Sequence, residues 1–140
     1  MPDPVAIVAI VVLLLPQAYF LFASPSFLFV SLAIPGVTVL LRVLFSLHCK
    51  LLTWAGGLSA LAFLATGRPA MACVPAAVAL AAMLAKPRFL AAFDEAIARR
   101  DAGEAAAVAR LRRLHVAGMA ANCVVLIGLL VSFPRILPVS

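Results

Sequence analysis

Four long apolar stretches separated by short breaks set the pattern of this chain. The first, from Val5 to about Phe29, carries no charged side chain, and about 20 residues rising 1.5 Å each suffice to cross a hydrocarbon core. Pro16 within it predicts a kink, Ser24-Pro25 a bend or an end, and Pro35-Gly36 a firmer break. From Gly36 to Gly67 the pattern predicts one helix of about 48 Å, against a hydrocarbon core of about 30 Å. Arg42, His48 and Lys50 fall in its first third. That third belongs at or beyond the headgroups, and Leu51 to Thr66 crosses. A five-span alternative makes Phe27 to Ser46 a span of its own, which puts Arg42 inside the membrane unless its side chain snorkels to the surface.

Gly67-Arg68-Pro69 predicts a tight turn, followed by an alanine-rich span over 70–85. Pro87 permits a new helix start. Over 88–100, Phe89, Phe93 and Ile97 recur every four residues opposite Glu95 and Arg99, the pattern of an amphipathic helix lying on a membrane surface. Asp101 to Glu104 fits an N-cap with Glu at the third position, while Gly103 equally fits the close of the preceding helix. The last helix is expected over about 104–133, ending at Pro134. Its first third, with Arg110, Arg112 and Arg113, lies outside the membrane, and the apolar part begins after His115. The expected fold class is all-α: one integral membrane four-helix bundle over 1–140, with an amphipathic cytoplasmic helix between the third and fourth spans.

Composition strengthens the membrane reading. Hydrophobic residues make up 66% of the chain and charged ones 11%, where a soluble domain carries about 25% charge. Seven of the eleven Lys and Arg lie between Lys86 and Arg113, so the net charge of +6 marks one basic region. In the four-span arrangement nine basic residues share one side, and only Arg68 and Arg135 face the other. Positive residues stay inside, which puts 86–113 in the cytoplasm of a bacterial-type inner membrane or an equivalent bilayer. Both termini fall on the opposite side. Nucleic acid is not expected as a partner, because the aromatics sit in apolar runs and not among the basic residues. Near its start the chain has Asp3 where a signal peptide has Lys or Arg, so the first apolar run is expected to be retained.

Chemistry-bearing residues are sparse. Cys49, Cys73 and Cys123 are widely spaced, which suits neither a zinc knuckle nor a disulfide framework. Asp3, Asp94, Glu95, Asp101 and Glu104 all fall outside the expected spans, so no buried carboxylate relay of the transporter kind is available. Neither a nucleophile with a base at local spacing nor a phosphate-binding glycine loop occurs, and an enzyme is not the expected reading. His48 and His115 are the two histidines. Each stands about a dozen residues into a long helix, at the cytoplasmic end of its apolar part, with Met119 one turn below His115. If their helices are neighbours, His48, His115 and Met119 form a candidate site for haem b or copper. The simpler role is that of interfacial histidines hydrogen-bonded to carbonyls, headgroups or water. Asn122, one further turn down, is expected to bond to another helix, while Gly56, Ala60 and Gly118 are expected to let helix backbones approach.

Two stretches carry a resemblance. The run PQAYFLFASPSFLFVSLAIPGVTVLLRVLF, with its aromatics, Ser24-Pro25, Gly36 and Arg42 before Leu44-Phe45, resembles the first helix and turn of the transmembrane protein 205-like family of unknown function. The run ARLRRLHVAGMAANCVVLIGLL is similar to that family's final helix, opening on Leu114-His115 with Asn122 seven residues later. Ala117-Gly118 departs from it, standing where a small polar residue is expected. The resemblance implies a four-helix membrane bundle, and the layout more distantly resembles copper-resistance D-like and haem-binding small membrane proteins. The functional expectation is an accessory or scaffolding subunit. It would act through helix contacts with itself or other membrane proteins, with anionic lipid at its basic face.

Overall fold

The computed structural model describes residues 3–136, with side chains described as far as residue 132. Four helices follow in order: α1 (Pro4–Ala23), α2 (Pro35–Ala65), α3 (Pro69–Asp101) and α4 (Ala106–Ile136), with a 3-10 turn, Ser24–Phe29, after α1. Each of the four is long and apolar enough to cross a membrane.

The ends of the helices follow from local chemistry. Asp3 caps α1 by accepting from the Val5 amide at 3.0 Å, and Pro4 takes the first helical position, where a missing N–H costs nothing. α2 and α3 each close on a glycine in the left-handed region: Gly67 (φ 72°) and Gly103 (φ 85°). At the first, Arg68 N bonds Phe63 O at 2.8 Å and Gly67 N bonds Leu64 O at 3.0 Å. At the second, Glu104 N bonds Arg99 O at 3.0 Å and Gly103 N bonds Arg100 O at 2.9 Å. Both are the paired closure that satisfies the last carbonyls of a helix. Of the two sequence readings of Gly103, the structure takes the second: Asp101 ends α3 and does not cap α4.

The expected helix break at Pro87 is absent. α3 runs unbroken through Pro75 and Pro87 for 33 residues, so the anticipated surface helix over 88–100 is the last part of a helix about 50 Å long. A proline inside a helix removes one hydrogen bond, and here tertiary packing outweighs it. Phe93 and Ala96 are fully buried with Leu41, Phe45 and Leu111, and Phe89 and Ile97 pack against the same cluster. The apolar stripe therefore faces α2 and α4, with Glu95 and Arg99 exposed on the other side as expected.

Three apolar clusters hold the bundle. The one just described fills the end with the α3–α4 turn. Leu13, Ala55 and Leu129 fill the middle. Ala6, Ala9, Ile10, Ala60, Phe63 and Ala72 fill the far end, where Ser59 also donates to Ala9 O at 3.1 Å and Arg68 pairs with Asp3. The start of α1 thus sits beside the α2–α3 turn. Gly56 permits a close helix approach, since a Cβ there would meet Pro75 O of α3 at 2.6 Å and Ala79 Cβ at 2.9 Å.

Candidate functional site

Of the residues singled out from sequence, His48, His115, Gly118, Met119 and Asn122 lie where α1 ends and α2, α3 and α4 are still together, whereas Gly56 and Ala60 serve helix contacts farther along α2. Phe20 is the hub. Its ring stacks on His48 with centroids 4.2 Å apart and leans on Phe45 at 5.1 Å. Phe45 in turn meets His115 edge-on at 6.1 Å and Phe89 at 4.5 Å. The bulky Phe45 fits because α4 offers Gly118 beneath it: a Cβ at 118 would lie 2.6 Å from Cζ. Gly118 is a helix-contact residue, and its partner is a side chain, not a backbone.

His115 is wholly buried and points inward, as its spacing from Met119 and Asn122 implied. Its Nε2 lies 3.0 Å from Ser24 Oγ and 3.1 Å from Ser24 O. A carbonyl only accepts, so this contact places the ring proton on Nε2. Nδ1 is enclosed without a partner. Ser24 is presented by the change from α-helix to 3-10 turn at that residue. The bond thus ties α4 to the end of α1.

His48 is buried on α2, beside the Pro16 carbonyl and facing Asn122, with Nδ1 unpartnered. Phe20 covers His48 and Phe45 stands edge-on to His115, and the cavity among α2, α3 and α4 is lined by His48 and not by His115. Met119 packs against the aromatic cluster and lines a separate cavity with Phe20, Ser24 and Asn122.

Asn122 is buried on α4, and neither amide atom has a hydrogen-bond partner. Its polar neighbour on another helix is His48 of α2. The side chain also stands between two cavities, the one shared with Met119 and another of about 200 Å³ among α2, α3 and α4. The larger role of α1 was missed from sequence. Gln17, one turn before Phe20 on the same face, is fully buried with both amide atoms unpartnered. The available signal was a polar amide inside an otherwise apolar span.

Above these residues the basic end is a lattice of ion pairs. Arg42 of α2 grips Asp94 of α3 through two hydrogen bonds, one of 2.7 Å, which holds the Asp94 carboxyl below its usual range. Glu95 meets Arg99 at 2.7 Å and Arg110 at 3.4 Å. Arg100, its side chain only 7% exposed, donates to Thr38 Oγ1 at 2.7 Å and Leu32 O at 3.2 Å. Arg112 donates to Phe27 O and, at 2.7 Å, to Val30 O. These two arginines fasten the segment joining α1 and α2. Lys50, Lys86, Arg88 and Arg113 have no acidic partner among the described residues.

Neither the protein-family models, nor the curated proteins, nor the solved structures contain a match to this chain.

Proposed function

We propose that this protein is a small integral membrane subunit that acts through lateral contacts, as an accessory or scaffolding partner of other membrane chains or of itself. Its basic end would rest in the cytoplasm against anionic lipid. The carrying observation is the uneven covering of the four helices. In the most apolar window of each, 39% of α1 and 33% of α2 is buried, against 17% of both α3 and α4. Val116, Val124, Ile127, Leu130 and Val131 all stand exposed along α4. Helix association in lipid rests on packing of available faces, and α3 and α4 have the most surface available.

The unpaired Lys50, Lys86, Arg88 and Arg113 support the lipid contact, each basic residue near an anionic leaflet contributing about 1 kcal/mol. Membership of the transmembrane protein 205-like family belongs to the same proposal and rests on Leu114, His115 and Asn122. A photo-crosslinking residue placed at Ile127 of α4, compared with one at Leu58 of α2, tests the reading in cells. A discrete protein adduct is expected from Ile127 and not from Leu58. Lipid adducts alone from both positions would remove the subunit role.

A further inference from the structure

The cavity among α2, α3 and α4 has the features of a ligand site, a role independent of the subunit reading above. It measures about 200 Å³ and is walled by Phe45, Phe89, Leu52, Val78 and several alanines of α3. An apolar cavity of about 150 Å³ already holds a benzene ring. Ala81, Ala85 and Ala121 on its rim are exposed on the flank of the bundle, so the mouth opens sideways, where lipid surrounds a spanning helix.

The surface facing the cavity is almost wholly apolar, and the nitrogen- and oxygen-bearing side chains in its lining are those of His48 and Asn122. His48 and Asn122 both line the cavity and are 5% and 4% exposed. His48 Nδ1 and both amide atoms of Asn122 lack a hydrogen-bond partner. Buried polar atoms left this way are costly, at about 1 to 3 kcal/mol each, and an apolar occupant would leave them so. The terminal torsion of an asparagine is loosely constrained, so a modest turn aims the amide at an occupant. Phe45 and Phe89 offer ring faces and edges for an aromatic or quinonoid ring.

We propose that this cavity binds a lipid-soluble ring compound bearing a carbonyl group, such as a quinone headgroup, with Asn122 donating to the carbonyl and Phe45 and Phe89 packing on the ring. His48 is the second polar contact. A hydrophobic pocket with a few convergent polar groups is the usual form of a small-molecule site, and here the lipid phase supplies the route of entry.

The test uses the full chain in lipid nanodiscs with two probes, decylbenzoquinone and decylbenzene, which share ring and tail and differ in the carbonyls. Equilibrium uptake is read against empty nanodiscs. Saturable one-to-one uptake of the quinone is expected, with decylbenzene at least about tenfold weaker, the scale of one hydrogen bond to a buried group. Ala85→Phe, which closes the mouth, should abolish saturable uptake of both. Asn122→Leu should weaken the quinone about tenfold and leave decylbenzene within about twofold. Non-saturable uptake no greater than that of empty nanodiscs overturns the site, and equal affinity for the two probes overturns the role of the polar side chains. Should Asn122→Leu fail to fold, the two probes on the unmodified chain and on Ala85→Phe still decide.

Discussion

Phe45 rests directly on Gly118, in a contact that a side chain at 118 would force the ring to give up or shift. The ring fills the space where a side chain of α4 would stand, and from there it reaches Phe20, Phe89, Phe93 and His115. Overpacking a close-packed site costs about 1 to 3 kcal/mol. Gly118→Ala should therefore lower thermal stability in detergent, and Phe45→Leu in the same chain should recover part of the loss. Gly57, with nothing within 4 Å of its would-be Cβ, is the control. Gly57→Ala should be neutral or gain about 0.5 to 1 kcal/mol from helix propensity.

His115 and Ser24 join helices 91 residues apart in sequence. Ser24→Ala removes the hydroxyl and keeps the carbonyl, so Nε2–H retains an acceptor. A loss near 0.6 kcal/mol, about the average for hydrogen bonds measured in a membrane protein, is expected. His115→Ala removes both contacts and leaves a cavity among Phe27, Phe45 and Leu111, so its loss should be about 2 kcal/mol or more. Chemical denaturation in mixed micelles checks the order. Equal losses would show that the carbonyl contact contributes nothing.

The Arg42–Asp94 pair gives the basic end a defined response to acid. The guanidinium hydrogen bonds hold Asp94 below its usual range, so the folded chain releases this proton more readily than the unfolded one. The pair's stabilisation is full above the ordinary carboxylate pKa and is lost as pH falls through the lowered value. Both side chains are well exposed, 39% and 47%, which limits the contribution to about 0.5 kcal/mol. The difference in melting temperature between the parent chain and Asp94→Asn should be constant near neutrality and vanish in acid. A difference that grows in acid would contradict the pairing.

Much of this arrangement was legible in the sequence, and the parts that were not share a cause. Gly67 and Gly103 announced their turns because a left-handed backbone position selects glycine. His115 and Asn122 announced an inward face by spacing along the helix. Pro87 misled, because local chemistry permits a helix to restart there, whereas burial of Phe93 and Ala96 against Leu41 and Leu111 decides that it continues. Arg100 and Arg112 counted in the sequence only as part of the basic region, yet they donate to carbonyls of Leu32, Phe27 and Val30. Contacts across more than 60 residues leave no local pattern to read. Gln17 was passed over for the same reason, since its importance comes from the helices packed around it.

The two turn glycines mark opposite ends of the bundle and supply a test of orientation. A reporter inserted beside Gly103, amid Arg99, Arg100 and Arg110, should be active in the cytoplasm. One inserted beside Gly67, where Arg68 is already paired with Asp3, should lie on the other side. Both turns are exposed, so the insertions need not disturb packing. Finding the two reporters on the same side would exclude a transmembrane α3.

Arg112 offers the sharpest separation between an interfacial charge and a structural clasp. Its two terminal nitrogens donate to Phe27 O, within the 3-10 turn, and to Val30 O, just after it, in a stretch where the backbone lacks α-helical partners for its carbonyls. A guanidinium reaches two divergent acceptors at once, whereas a lysine ammonium is a single point of donation on a flexible stem. If Arg112 acts only by charge near the headgroups, Arg112→Lys preserves its role. If it clasps the segment, Arg112→Lys and Arg112→Ala should both loosen residues 27–34 while α2 and α3 stay protected. Hydrogen exchange followed by mass spectrometry reads this directly, and an increase of about tenfold in the segment corresponds to about 1.4 kcal/mol of lost local stability. Arg113, exposed and without an acidic partner on the next position of the same helix, provides the comparison: Arg113→Ala should leave the exchange of 27–34 unchanged. Equal effects from the two arginines would reduce Arg112 to a surface charge.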